Sequence, residues 1–126
     1  MNNKKILMVD DESRVQYSIK SGLELLDDEI EVKTVDNGTA CFEELEKEKP
    51  NLILLDINMP EMSGWSVYDK IRDRVEWQHI PIIFLTARTD KIAIDAGKFM
   101  GNDYFEKPVD IKELKIRIDQ LIEEGN

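Results

Sequence analysis

Leu52-Ile53-Leu54-Leu55-Asp56-Ile57-Asn58-Met59-Pro60 is the stretch that decides the fold: four apolar residues in a row, then an aspartate and a segment ending in proline. Four residues are too few for a helix, and the lack of polar alternation suits a strand covered on both faces of a parallel sheet. Ile6-Leu7-Met8-Val9 and Ile82-Ile83-Phe84-Leu85 have the same character. Ile30-Glu31-Val32-Lys33-Thr34-Val35 alternates instead, and Tyr104-Phe105-Glu106 is short, so both read as edge strands.

Helical spacing fills the intervals: Val15, Ile19, Leu23 and Leu26; then Phe42 and Leu45; then Val67 and Ile71; then Ile92, Ala93 and Ala96. The last set, Ile111, Leu114, Ile118, Leu121 and Ile122, has charges between its apolar positions. Ser13 with Gln16 three residues on predicts a capping box for the first helix, and Gly38 and Pro50 bracket the second. Five successive β-then-α units in a chain of 126 residues predict one α/β domain over 1–126. Right-handed crossovers make it a doubly wound parallel sheet with helices on both faces. Ligands of such sheets bind outside the carboxyl ends of the strands.

Composition narrows the function. With 27 acidic against 17 basic residues and a formal net charge of −10, the chain lacks the basic surface that nucleic acid or anionic lipid requires. Cys41 is the one cysteine, which excludes an intrachain disulfide, and its apolar neighbours Ala40, Phe42 and Leu45 predict a buried small hydrophobe. His79, the one histidine, reads as a loop or surface residue before a strand, so no zinc cluster is expected. The start of the chain is too short in apolar residues for a signal peptide or membrane span, and a cytoplasmic location is expected.

The residues that follow the central strands converge chemically. Asp10 and Asp11 follow the first, Asp56 the third, Thr86 the fourth and Lys107 the fifth. Three carboxylates held close repel one another unless a cation neutralises them, and an all-oxygen set favours Mg²⁺, or Mn²⁺ in its place. A carboxylate nucleophile, a lysine, a hydroxyl and a metal suit phosphoryl transfer to aspartate. In that reading Asp56 attacks, Lys107 and the metal offset phosphoryl charge, Thr86 donates a hydrogen bond, and the small Ala87 leaves room.

Val9-Asp10-Asp11-Glu12, Leu54-Leu55-Asp56-Ile57-Asn58-Met59-Pro60-Glu61-Met62-Ser63-Gly64, Leu85-Thr86-Ala87 and Asp103-Tyr104-Phe105-Glu106-Lys107-Pro108 together resemble the receiver domains of two-component response regulators. The resemblance covers essentially the whole chain. It implies a flavodoxin-like (βα)5 fold with strand order 2-1-3-4-5. It also implies Asp56 as phosphoacceptor, Asp10 and Asp11 as the acidic pair, and Asn58 as a metal ligand through its carbonyl. Thr86 and Tyr104 match the switch pair, whose movement remodels the surface of the fourth helix, fifth strand and fifth helix. Lys107-Pro108 matches the family's cis-peptide position, and Gly64 allows the loop after Asp56 to bend.

Two departures stand out. The link from Gly101 to Lys107 is one residue shorter than in many relatives, and Arg88, two residues past Thr86, is expected with Asn58 to tune phosphoryl lifetime.

The resemblance implies transfer from a sensor histidine kinase or histidine phosphotransfer protein, catalysed in part by the domain itself, with a downstream effector domain or protein as the reader. Kinase docking is expected around Arg14, Tyr17 and Ser18, and a phosphorylation-dependent homodimer is left open. The alternative is a metal-dependent phosphohydrolase with an aspartyl-phosphate intermediate. Such enzymes typically carry a second catalytic aspartate where this chain has Asn58. A nucleotide binder would need a glycine-rich loop after the first strand, where Asp10-Asp11-Glu12 stands.

Overall fold

A computed structural model of the chain describes residues 4–87 and 103–125. Strands β1 (Lys4–Val9), β2 (Ile30–Val35), β3 (Leu52–Asp56), β4 (Ile82–Thr86) and β5 (Asp103–Glu106) form one sheet in the order β2-β1-β3-β4-β5. All the pairings are parallel, and the expected edge strands are the outer two. Helices α1 (Ser13–Leu26), α2 (Gly38–Lys47) and α3 (Gly64–Arg72) follow the first three strands, and a helix over Ile111–Glu124 follows the fifth. The expected fourth helix, with Ile92, Ala93 and Ala96, lies outside the described residues, as do Arg88 and Gly101.

Alternate residues of the central strands feed two cores. Leu7, Val9, Ile53, Leu55, Ile82 and Phe84 pack with Cys41 and Leu45 of α2 and with Val67 and Ile71 of α3. Ile6, Met8, Leu52, Leu54, Ile83 and Leu85 pack with Ile19 and Leu23 of α1 and with Leu114 and Ile118 of the C-terminal helix. Uninterrupted apolar runs are therefore required, because both faces of each central strand are buried. Cys41 is buried as expected, and burial pushes its thiol up to about 12, which removes it from reactive chemistry.

The outer edge of β2 is covered by α1. The Val32 N–H donates to Glu24 at 2.9 Å, and the Lys20 ammonium donates to the Val32 carbonyl at 2.5 Å. Side chains thereby occupy backbone groups that would otherwise invite another strand. At the end of the sheet away from the site, Lys4 bridges Asp27 and Asp119 at 2.7 and 2.9 Å, and Lys115 adds to both, tying β1 and α1 to the C-terminal helix. No helix among the described residues is long and apolar enough to cross a membrane.

Two local expectations require correction. The Ser13–Gln16 capping box does not form: α1 has Glu12 at its N-cap position with no side-chain cap. Gln16 instead donates through its amide to the Asp10 carbonyl at 2.5 Å and to Asp36 at 2.7 Å, because tertiary acceptors lie closer than the local cap. Leu26, assigned to the apolar face of α1, is exposed at the last position of the helix. α2, by contrast, begins at Gly38 with Asn37 as a true cap, its side chain accepting from the Ala40 N–H at 2.8 Å.

Candidate functional site

Among the described residues the buried polar or charged side chains are Asp10, Asp56 and Thr86. Each sits at or just beyond the carboxyl end of a central strand, where the apolar run stops and the chain turns over the top of the sheet. The β3–β4 register sets Asp56 opposite Leu85, and the β4–β5 register sets Thr86 opposite Glu106. Lys107 follows at once, and its N–H donates to the Thr86 carbonyl at 2.8 Å, which anchors the start of the β5 loop beside the two aspartates. The Lys107–Pro108 peptide is cis, as the resemblance implied.

The Lys107 ammonium lies among three carboxylates: 2.9 Å from Asp10 Oδ2, 3.0 Å from Glu12 Oε1 and 3.5 Å from Asp56 Oδ1. Only the contact with Glu12 also has the alignment of a hydrogen bond. Asp10 Oδ1 accepts the Glu12 N–H at 2.8 Å, and Asp56 Oδ1 accepts the Asn58 N–H at 3.1 Å. The other oxygens, Asp10 Oδ2 and Asp56 Oδ2, are buried without a hydrogen bond. Asp56 Oδ2 carries the desolvation cost of a carboxylate without its usual compensation, whereas Asp10 Oδ2 has the charge of the Lys107 ammonium at 2.9 Å.

The electrostatics follow from that burial. Asp56 is pushed up to about 7, chiefly by burial and then by the charge of Asp10, against the opposing pull of Lys107 and the Asn58 N–H. Asp10 is also raised, by burial first, with the Glu12 N–H and Lys107 acting the other way. For Lys107 burial favours the neutral amine, but pairing with Asp10 and Glu12 outweighs it and keeps the ammonium firmly charged.

Asp10, Asp11, Glu12 and Asp56 can each direct one oxygen so that all lie within 4.8 Å of one another. This is a hard, all-oxygen donor set with unsatisfied buried oxygens, and it fits Mg²⁺ or Mn²⁺ far better than a soft metal. Asn58 places its N–H on Asp56 while its side chain stays exposed. Gly64 lies directly behind the Asp56 backbone, and its N–H donates to the Ile57 carbonyl at 2.9 Å.

Thr86 Oγ1 is within 3.1 Å of the carbonyl of Ala87, the half-buried residue that leads out of β4. Tyr104 is half-buried opposite Phe84, one strand over and two residues before Thr86 on the same pleat face. Pro108 and Val109 line a cavity of about 170 Å³ with Arg14, Val15 and Ser18 of α1. Trp65, near the start of α3, stacks at a tilt on Phe84 with ring centroids 4.6 Å apart. Glu12 was absent from the candidate residues read from sequence. Its signal was its place as the third acid of the run Asp10-Asp11-Glu12.

Comparison with known proteins places this geometry. The family profile described as the response regulator receiver domain matches residues 6–119. The transcriptional regulatory protein CrdR of Helicobacter pylori is 35% identical over 91% of this chain and 53% of its own length. The transcriptional regulatory protein KdpE of Staphylococcus aureus is 34% identical over 90% of this chain and 48% of its own. Histidine kinase P4 of Formosa agariphila is 33% identical over 94% of this chain and 8% of its own. The chain thus spans about half, or far less, of these curated relatives. Among solved structures, the receiver domain of Francisella response regulator 1452 superposes with a TM-score of 0.85 at 26% identity, covering 98% of this chain and 100% of that one. A response regulator receiver domain protein from Clostridium thermocellum gives 0.85 at 29% identity, covering 96% and 95%.

Proposed function

The chain belongs to the response regulator receiver domain family, and we propose that it accepts a phosphoryl group on Asp56 from the phosphohistidine of a sensor histidine kinase or phosphotransfer protein. The observation that carries this reading is the Asp56 carboxylate itself: it is 2% exposed, one oxygen has no hydrogen bond, and a lysine ammonium stands beside the other. A buried carboxylate left so poorly compensated costs stability, and use as a nucleophile accounts for keeping it.

The residues have distinct tasks. The Asn58 N–H fixes Oδ1 of Asp56 and leaves Oδ2 to attack phosphorus. Lys107 stands ready to pair with phosphoryl oxygens, and the Thr86 hydroxyl to donate to one of them. Asp10, Asp11, Asp56 and the Asn58 carbonyl would hold a Mg²⁺ or Mn²⁺ ion, which when bound neutralises both the carboxylates and the transferring group.

Reorientation of Thr86 and Tyr104 then gives a two-state switch on the β4–β5 side of the sheet, read by an effector domain or protein. The signal is the phosphorylated state of the receiver domain over 1–126, which acts in the cytoplasm without itself contacting nucleic acid or membrane. Arg14, Tyr17 and Ser18 on the exposed part of α1 supply the docking surface for the kinase, and Arg88 with Asn58 sets the lifetime of the phosphate. A phosphorylation-dependent homodimer is one form the output can take.

Incubation with Mg²⁺ and acetyl phosphate is expected to add one phosphoryl group, acid-stable and base-labile, as read by intact mass. Chelation of the metal before the donor is added should prevent it, and Asp56→Ala should carry none. An undiminished adduct on Asp56→Ala would overturn the proposal.

A further inference from the structure

We propose that Glu12 is a positioning residue that holds Lys107 in the resting protein and restrains phosphoryl transfer to Asp56; the inference rests on the phosphoacceptor reading of Asp56. Glu12 occupies the N-cap position of α1, yet its side chain caps nothing. Its backbone is fixed at both ends, since its N–H donates to Asp10 at 2.8 Å and its carbonyl accepts from the Gln16 N–H at 3.1 Å. The carboxylate is therefore free of any local structural duty, and it is used on Lys107, whose hydrogen bond it accepts at 3.0 Å from the opposite end of the chain.

Position decides the consequence. Lys107 Nζ is 2.9 Å from Asp10 Oδ2 and 3.0 Å from Glu12 Oε1 but 3.5 Å from Asp56 Oδ1, so Glu12 acts with Asp10 to draw the resting ammonium away from the nucleophile. Glu12 is exposed whereas Asp10 and Asp56 are buried, so its negative charge stands at the mouth of the site, where an anionic phosphodonor enters. Both effects oppose transfer: the donor meets an added negative charge, and the lysine must exchange a carboxylate for the incoming phosphoryl oxygens. In the reaction with acetyl phosphate, an Asp56 oxygen forms the new bond to phosphorus as the phosphorus–oxygen bond to the acetyl group breaks. Acetate leaves with the electron pair.

Glu12→Gln keeps the size and the acceptor oxygen and removes only the charge. At saturating Mg²⁺ and low salt, its phosphorylation rate constant with acetyl phosphate is expected to exceed that of wild type by about three- to tenfold. The ratio should fall toward one as ionic strength approaches ~1 M, where the screening length is only ~3 Å. A structural role would not produce that salt dependence, and the urea midpoint should match wild type because no cap is lost. Equal or slower phosphorylation, or an acceleration that salt leaves intact, overturns this inference alone. Absence of an adduct on wild type overturns the phosphoacceptor reading and this inference with it.

Discussion

Asp56→Asn is expected to make the metal-free protein more stable at pH 8 by about 2–4 kcal/mol, seen as a melting temperature higher by roughly 10 °C. The ordinary Asp value is 3.8, and burial with the neighbouring Asp10 charge raises it to about 7 in the folded chain. Between those values the folded state binds more protons at this position than the unfolded state does. Stability contributed here is therefore complete below pH ~4 and is lost as pH rises toward ~7, at up to ~1.4 kcal/mol per pH unit.

Asparagine cannot ionise, so the variant keeps what the wild type loses. The difference should shrink to little below pH 4. Millimolar Mg²⁺ should also narrow it at pH 8, because a bound cation stabilises the ionised carboxylates of the wild type by mass action. A melting-temperature series across pH 4–8, with and without EDTA, is the measurement. An Asp56→Asn curve parallel to wild type at every pH would show that Asp56 is not the strained carboxyl.

The same strain explains why so much of the site could be read from sequence. A charged residue that closes a wholly apolar strand, as Asp56 does after Leu52–Leu55, has no amphipathic reason to be there. Asp10 after Ile6–Val9 and Thr86 after Ile82–Leu85 repeat the pattern, and all three are buried. The order of the sheet was less legible, because apolar runs report burial but not neighbours; strand order came from resemblance, and the observed order β2-β1-β3-β4-β5 bears it out.

What sequence could not supply were contacts made across long separations. Gln16 is read locally as a capping partner, but its acceptors include Asp36 on the next loop. Glu12 stands in the acidic run Asp10-Asp11-Glu12, but its partner Lys107 is 95 residues away. Periodicity carries no information about either pairing.

Gly64→Ala is expected to cost about 3 kcal/mol or more and to impair phosphorylation, through a mechanism unrelated to glycine's freedom of φ. A methyl group at Gly64 would stand 2.4 Å from the Asp56 carbonyl oxygen, 2.8 Å from Ile57 Cα and 3.0 Å from the Asp56 carbonyl carbon. These are backbone atoms of the strand end that carries the nucleophile. Asp56 pairs in register with Leu85, and the Ile57 N–H donates to the Leu85 carbonyl at 3.0 Å, so the strand has little room to retreat.

Relief must come from moving the start of α3 outward, which stretches the 2.9 Å bond from the Gly64 N–H to the Ile57 carbonyl, or from displacing Asp56. Either movement alters the distances to Lys107 on which transfer depends. Gly38→Ala is the control. Its methyl would meet Met62 Sδ at 2.7 Å and Val67 Cγ2 at 2.9 Å, side-chain atoms of which the methionine can rotate away. That variant should lose about 1–2 kcal/mol, less than Gly64→Ala, with phosphorylation near wild type. Urea denaturation of the two variants separates backbone collision from side-chain crowding: equal midpoints would show that the close passage of α3 behind Asp56 does not constrain the site.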